Sequence, residues 1–164
     1  MKKILEGFKI LVGISLGICI GGYLAARKYC QELSRCRREA EKTQYWVRIY
    51  DLWMRTKQSS KSIEEYLEKR EIRSIAIYGV SFLGIRLYYE LKESCINVKF
   101  MFDKNSRVNV AGIDIRNPDC CEYESVDAVI VTALFTYDDI EKVLASKGYT
   151  QIMALNDILY DMAM

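Results

Sequence analysis

Residues 10–26 carry no charge, and apolar character reaches back to Ile4, broken only by Glu6 and Lys9. Such a stretch dictates its own surroundings. Counted from Ile4 it is long enough, at about 1.5 Å per helical residue, to cross a hydrocarbon core of roughly 30 Å. Glu6 and Lys9 fall near its start, where their charged heads can snorkel to the interface. Lys2-Lys3 would also suit a signal peptide, but no small-x-small cleavage site follows. Cys19 would suit lipid attachment, but Ile18 stands where a small residue is required. The sequence therefore predicts an uncleaved transmembrane helix over residues 4–26. Lys2, Lys3 and Lys9 flank it on one side; Arg27, Lys28, Arg35, Arg37, Arg38 and Lys42 follow it on the other. That excess places the C-terminal side in the cytoplasm, with the basic cluster on anionic headgroups. The expected location is the cell membrane, crossed once. Gly13, Gly17 and Gly21 recur every four residues, a spacing on which a second copy or a partner membrane helix packs closely. The plainer reading is glycine merely tolerated in a membrane helix.

Residues 27–57 contain no proline or glycine and are rich in Glu, Arg, Lys and Gln, so the helix is expected to continue into the cytoplasm. Tyr29, Leu33, Cys36, Ala40, Thr43, Val47, Tyr50 and Met54 alternate steps of four and three, the spacing of a coiled-coil seam. Cysteine, alanine and threonine bury little surface, so a seam built on them is weak. After Tyr45 the apolar face widens to take in Trp46, Ile49, Leu52 and Trp53, which favours packing onto a domain.

Residues 58–164 change character. Ser62 with Glu65 forms a capping-box pattern for a short helix over residues 63–70. Residues 74–78 (SIAIY) read as a buried strand running into Gly79-Val80-Ser81-Phe82-Leu83-Gly84, then a helix over 82–92. Residues 98–102 form a second strand ending at Asp103. A brief strand-like piece follows at 113–115, and a buried strand at 128–133 (AVIVTA). A helix capped by Thr136 and Asp139 runs to about Ser146, then a strand at 151–155 and a helix at 157–162 capped by Asn156. Alternating strands and helices imply a parallel sheet with right-handed crossovers. The expected fold class is α/β, a small Rossmann-like parallel sheet preceded by the transmembrane and long cytoplasmic helices.

The order strand, glycine turn, helix, strand, acid is the layout of dinucleotide-binding proteins. Gly79 allows the tight turn, and Gly84 lets the helix lie close to the strand. The amides of Ser81, Phe82 and Leu83 open the helix toward a phosphate. Asp103 stands where an acid receives ribose hydroxyls, and Thr132 ends the third strand nearby. Together Gly79, Ser81, Phe82, Leu83, Gly84, Asp103 and Thr132 are the candidate cofactor-binding residues, for NAD(P) or a nucleotide sugar. Ser81 replaces the glycine that normally lets a pyrophosphate approach; its hydroxyl can bond a phosphate or its bulk can block one. Against this stands a structural reading. Gly79 and Gly84 then make a turn and a close packing contact over an empty pocket, and Asp103 is solvated.

The absence of histidine removes the commonest general base near neutral pH. The six cysteines include no CxxC pair, which argues against structural zinc, and they read as reduced thiols. A net charge of +2 gives no argument for nucleic-acid binding. Neither catalytic residues nor metal ligands are assigned.

Residues 60–159 resemble small Rossmann-like domains of bacterial surface-polysaccharide gene sets, which are similar to the N-terminal part of nucleotide-sugar epimerases and dehydratases. The residues that carry the resemblance are KSIEEYLE, IAIYGVSFLG, the strand ending in Asp103, GIDIRNPD, VDAVIVTA and ALNDILY. The resemblance implies a role near cell-surface glycan assembly and does not imply catalysis. Tyr66 precedes Arg70 at the spacing of the epimerase tyrosine–lysine pair, but it lies before the first strand, where no catalytic tyrosine belongs. The leading expectation is a membrane-tethered, non-catalytic nucleotide- or nucleotide-sugar-binding module. A ligand-free scaffold subunit assembling through the glycine stripe and the Trp46/Trp53 face is the alternative. A small oxidoreductase completed by a partner is the third.

Overall fold

The computed structural model describes residues 2–104, 110 and 112–164, and the side chains from residue 21 onward. The chain divides into two compact units, Met1–Arg48 and Ile49–Met164. The first is helix α1 alone; α1 spans Lys2–Gln58, so its last turns belong to the second unit. The expected continuation of the helix past residue 26 is therefore found. Among the described residues no helix is long and apolar enough to cross a membrane. Most of the span expected over residues 4–26 lies outside the described side chains, as do Gly13 and Gly17. Gly21 is described, and nothing lies within 4 Å of where a Cβ would stand on it.

The second unit is an α/β domain. Its elements are α2 (Ile63–Glu68), β1 (Ser74–Tyr78), α3 (Phe82–Leu91), β2 (Asn97–Phe102), β3 (Asp114–Arg116), β4 (Ala128–Val131), α4 (Tyr137–Ser146), β5 (Ile152–Ala154) and α5 (Leu155–Ala163). All strand pairs are parallel, in the order β3-β2-β1-β4-β5, a Rossmann-like arrangement. Apolar runs such as SIAIY and AVIV make this possible, because a parallel sheet is covered by helices on both faces. On one face Ala76, Tyr78, Phe100, Phe102, Val129 and Val131 pack with Ile140 and Leu144 of α4 and with Tyr149. Successive strand residues point to opposite sides, and Ile75, Ile77, Met101 and Ile130 are fully buried on the other. At the amino end of the sheet Asp127 Oδ2 accepts the amides of Arg73 (2.9 Å) and Ser74 (2.7 Å). Those two bonds hold the Asp127 carboxyl below its ordinary value.

The Ser62 cap forms: Glu65 N donates to Ser62 Oγ at 3.1 Å. Two other expected caps do not. A 3-10 turn over Leu134–Thr136 precedes α4, and the Thr136 hydroxyl turns back to Ala133 O at 3.2 Å. Helix α5 starts earlier than expected, with Ala154 as its first flanking residue, and Asn156 donates to Asp157 Oδ1 at 2.8 Å. The widened apolar face on α1 resolves sharply. Ile49 is fully buried and Trp53 is 6% exposed, whereas Leu52 stays half-buried. The indole of Trp53 donates to Glu90 Oε2 at 2.8 Å, and Lys57 Nζ faces Glu90 Oε1 at 2.7 Å. The last turns of α1 are thus clasped to α3.

Candidate functional site

The chain runs β1, β2, β3 in one direction across the sheet, then returns to place β4 on the other side of β1. Connections after β1 and β4 therefore diverge, and a crevice opens outside the strand ends where the order reverses. A cavity of about 360 Å³ lies at this place. Tyr78 and Gly79 from the end of β1, and Asp103 and Lys104 from the end of β2, form one side. Ala133 and Thr136 after β4, with Asp139, Ile140 and Val143 of α4, form the other.

The turn after β1 is tied down from three directions. Gly79 has φ +104°, a left-handed conformation that glycine adopts without steric cost. Its amide donates to Phe102 O at 2.8 Å. The Thr132 hydroxyl, 3% exposed, lies 3.0 Å from both Tyr78 O and Gly79 O, so its one proton is shared between them. Val80 N then donates to Asp103 Oδ2 at 2.9 Å, joining the turn to the end of β2. A Cβ on Gly84 would stand 1.9 Å from Gly79 O, so helix and turn are in backbone contact.

Of the residues expected to hold a cofactor, Gly79 and Asp103 border the crevice. Gly84 and the side chains of Leu83 and Thr132 are buried and serve the strand–helix joint. Ser81 is half-buried at the start of α3, in extended conformation, and its hydroxyl makes no cap bond to the helix. Phe82 is 69% exposed in the first turn, which holds no acidic residue. By contrast α2 and α4 both carry acids in their first turns. The N-terminus of α3 thus keeps its positive end without a side-chain cap. Burial pushes the Tyr78 hydroxyl upward, with Asp119 and Asp103 adding to it, so it stays protonated and neutral. Ala133, Thr136, Asp139, Ile140 and Val143 were not singled out as ligand contacts from the sequence. The signal was present in the switch-point rule, since the loop after the fourth strand must face the loop after the first.

Other reactive groups are engaged elsewhere. Tyr66 donates to Asp161 Oδ2 at 2.8 Å, and the Arg70 guanidinium lies 3.6 Å over its ring. Burial, then that hydrogen bond, pushes the Tyr66 hydroxyl up to about 12, which keeps it from acting as a base. Hydrogen bonding to Glu68, then Glu64, pushes the Cys95 thiol up to about 12 as well. Cys30, Cys36, Cys95, Cys120 and Cys121 are all free thiols. Among the described residues no group of three or more acidic or cysteine side chains is placed to hold a metal ion. Compared with protein-family models, curated proteins and solved structures, the chain shows no match.

Proposed function

We propose that the domain binds a nucleotide or nucleotide sugar without transforming it, held at the membrane by residues 4–26 with its C-terminal part in the cytoplasm. Under this reading it serves cell-surface glycan synthesis, the role implied by the resemblance of residues 60–159. The observation that carries the binding is the crevice at the switch point, where Asp103 faces the Gly79 turn. Its volume of about 360 Å³ falls at the lower end of ligand pockets, roughly 300–1,000 Å³. Ala133, Ile140 and Val143 offer apolar surface for a base, Asp103 an acceptor for ribose hydroxyls, and the start of α3 an end for phosphate. The tether rests on the uncharged run 10–26 and the basic flank after it.

Calorimetry of the full-length chain with ATP, NAD, NADP and UDP-sugars tests the binding. Asp103→Ala is expected to weaken the ligand that binds by about tenfold to hundredfold, the worth of one or two charge-assisted bonds of roughly 1.5–3 kcal/mol. Heat from none of these at millimolar concentration, with the chain folded, would remove this reading. The tether has its own check. Alkaline carbonate should leave the chain in the membrane pellet, and a reporter fused after Met164 should be active inside the cell; release, or activity outside, would contradict it.

A ligand-free scaffold is the second reading, and one observation favours it. Gly79, Gly84 and Thr132 are fully accounted for by the joint they make with one another, and the Val80 amide is already satisfied by Asp103.

A further inference from the structure

In the first unit every residue from 21 to 44 is exposed. Helices of proteins are held mainly by packing an apolar face, and among the described residues of its own unit this one has nothing to pack on. The ion pairs Arg35–Glu39 (3.2 Å) and Arg37–Glu41 (3.1 Å) have side chains more than 60% exposed, and such pairs add little. Along the same helix the stripe Tyr29, Leu33, Cys36, Ala40, Thr43 and Val47 keeps steps of four and three. Tyr29, Leu33 and Val47 are 68%, 56% and 61% exposed. The steps continue back through Ala26 to Gly22, where a Cβ would meet nothing within 4 Å. Beyond Val47 the helix belongs to the domain, since Ile49 and Trp53 are buried.

Charge selects the partner that covers this stripe. With Leu33 and Ala40 at a positions and Tyr29 and Cys36 at d positions, Glu32 occupies g and Arg37 occupies e. In a parallel coiled coil each g residue faces the e residue five positions on in the other helix. Glu32 then meets Arg37, twice by symmetry. Arg37 spends Nε on Glu41, and its guanidinium has further donors for a second carboxylate. Reversing one helix about residue 38 sets Arg37 against Arg37 and Glu39 against Glu39. We infer that α1 pairs in parallel and in register with a second copy of this chain along residues 22–47, Glu32 of each copy facing Arg37 of the other. The inference does not depend on what the crevice binds.

In this pairing Cys36 lies against its own counterpart across the two-fold axis. The test uses the purified full-length chain in lipid vesicles, with Cys36 as its single cysteine and serine at positions 19, 30, 95, 120 and 121. Two copper(II) phenanthroline complexes each accept one electron, becoming copper(I), as two thiols lose their protons and form one disulfide. Cys36 should yield covalent dimer at least fivefold faster than a cysteine placed by Arg38→Cys in the cysteine-free chain, which sits off the seam. Glu32→Arg should slow the Cys36 reaction severalfold, and Glu32→Arg with Arg37→Glu should restore it. Sedimentation of the native-cysteine chain under reducing conditions gives a second measurement. Wild type and the double charge-swap should run as dimers, and Glu32→Arg as monomer. Equal cross-linking at positions 36 and 38, a charge reversal without effect, or a monomeric wild type would overturn the pairing. A dimer that survives every charge change would place the contact elsewhere and overturn it equally.

Discussion

Gly84→Ala will cost the α/β domain about 3 kcal/mol or more, the upper end of what overpacking does in a folded interior. The added Cβ would stand 1.9 Å from Gly79 O and 3.1 Å from Thr132 Oγ1. Neither neighbour has room to yield. The Gly79 peptide is fixed on one side by its amide bond to Phe102 O at 2.8 Å and on the other by the Thr132 hydroxyl at 3.0 Å. The remaining way out is for α3 to lift from β1, which opens the packing around Leu83, Leu87 and Leu91, all buried. Against a total stability of roughly 5–15 kcal/mol such a loss is a large fraction. Urea denaturation followed by circular dichroism reads it as a fall in the midpoint. An unchanged midpoint would mean that helix and strand are not in the contact described.

Trp53→Ala should cost a similar amount, about 3–5 kcal/mol, the range for deleting a buried indole. Trp53 is 6% exposed, and its N–H satisfies one oxygen of Glu90, whose side chain is only 13% exposed. Truncation leaves both a cavity and a carboxylate held by Lys57 alone. Trp53→Phe separates the two terms. The ring stays and the donor goes, so the expected cost falls to about 1–3 kcal/mol, that of an unsatisfied buried acceptor. The difference between the two midpoints in the same urea titration gives the packing share. If both substitutions prove neutral, the end of α1 is not clasped to α3.

The course of the chain through the domain is legible because the central strands β1 and β4 are short, mainly apolar runs and α3 shows its leucine stripe. SIAIY, AVIV and the leucines at 83, 87 and 91 are local signals, and they fall where the periodicity puts them. The order of the strands is not local. Nothing in AVIV says that it lies beside β1 rather than beyond β3; the return of the chain across the sheet decides that. The ends of elements slip by a residue or two for a similar reason. Thr136 and Asn156 have the chemistry of caps, but Thr136 stands at the start of α4 with its hydroxyl turned back to Ala133 O, and α5 begins ahead of Asn156. At the site, the sequence shows that Gly79, Gly84 and Asp103 belong together without showing what they do for one another. The bond from Val80 N to Asp103 and the seal made by Thr132 join residues far apart in the chain. On α1 the sequence offered two partners for one apolar face. Burial divides that face at Ile49, and the domain takes Ile49 and Trp53 for its own core.

The outermost strands β3 and β5 have only three residues each. An edge that brief exposes few unpaired amides and carbonyls, and β3 adds Asp114 and Arg116, with Arg116 tied at 2.6 Å to Glu124. Short and charged borders of this kind deny a template to strands of other molecules. Among the described residues the sheet therefore ends at five strands and resists edge-to-edge growth into aggregates, although its interior strands are as apolar as those of many fibril-forming segments.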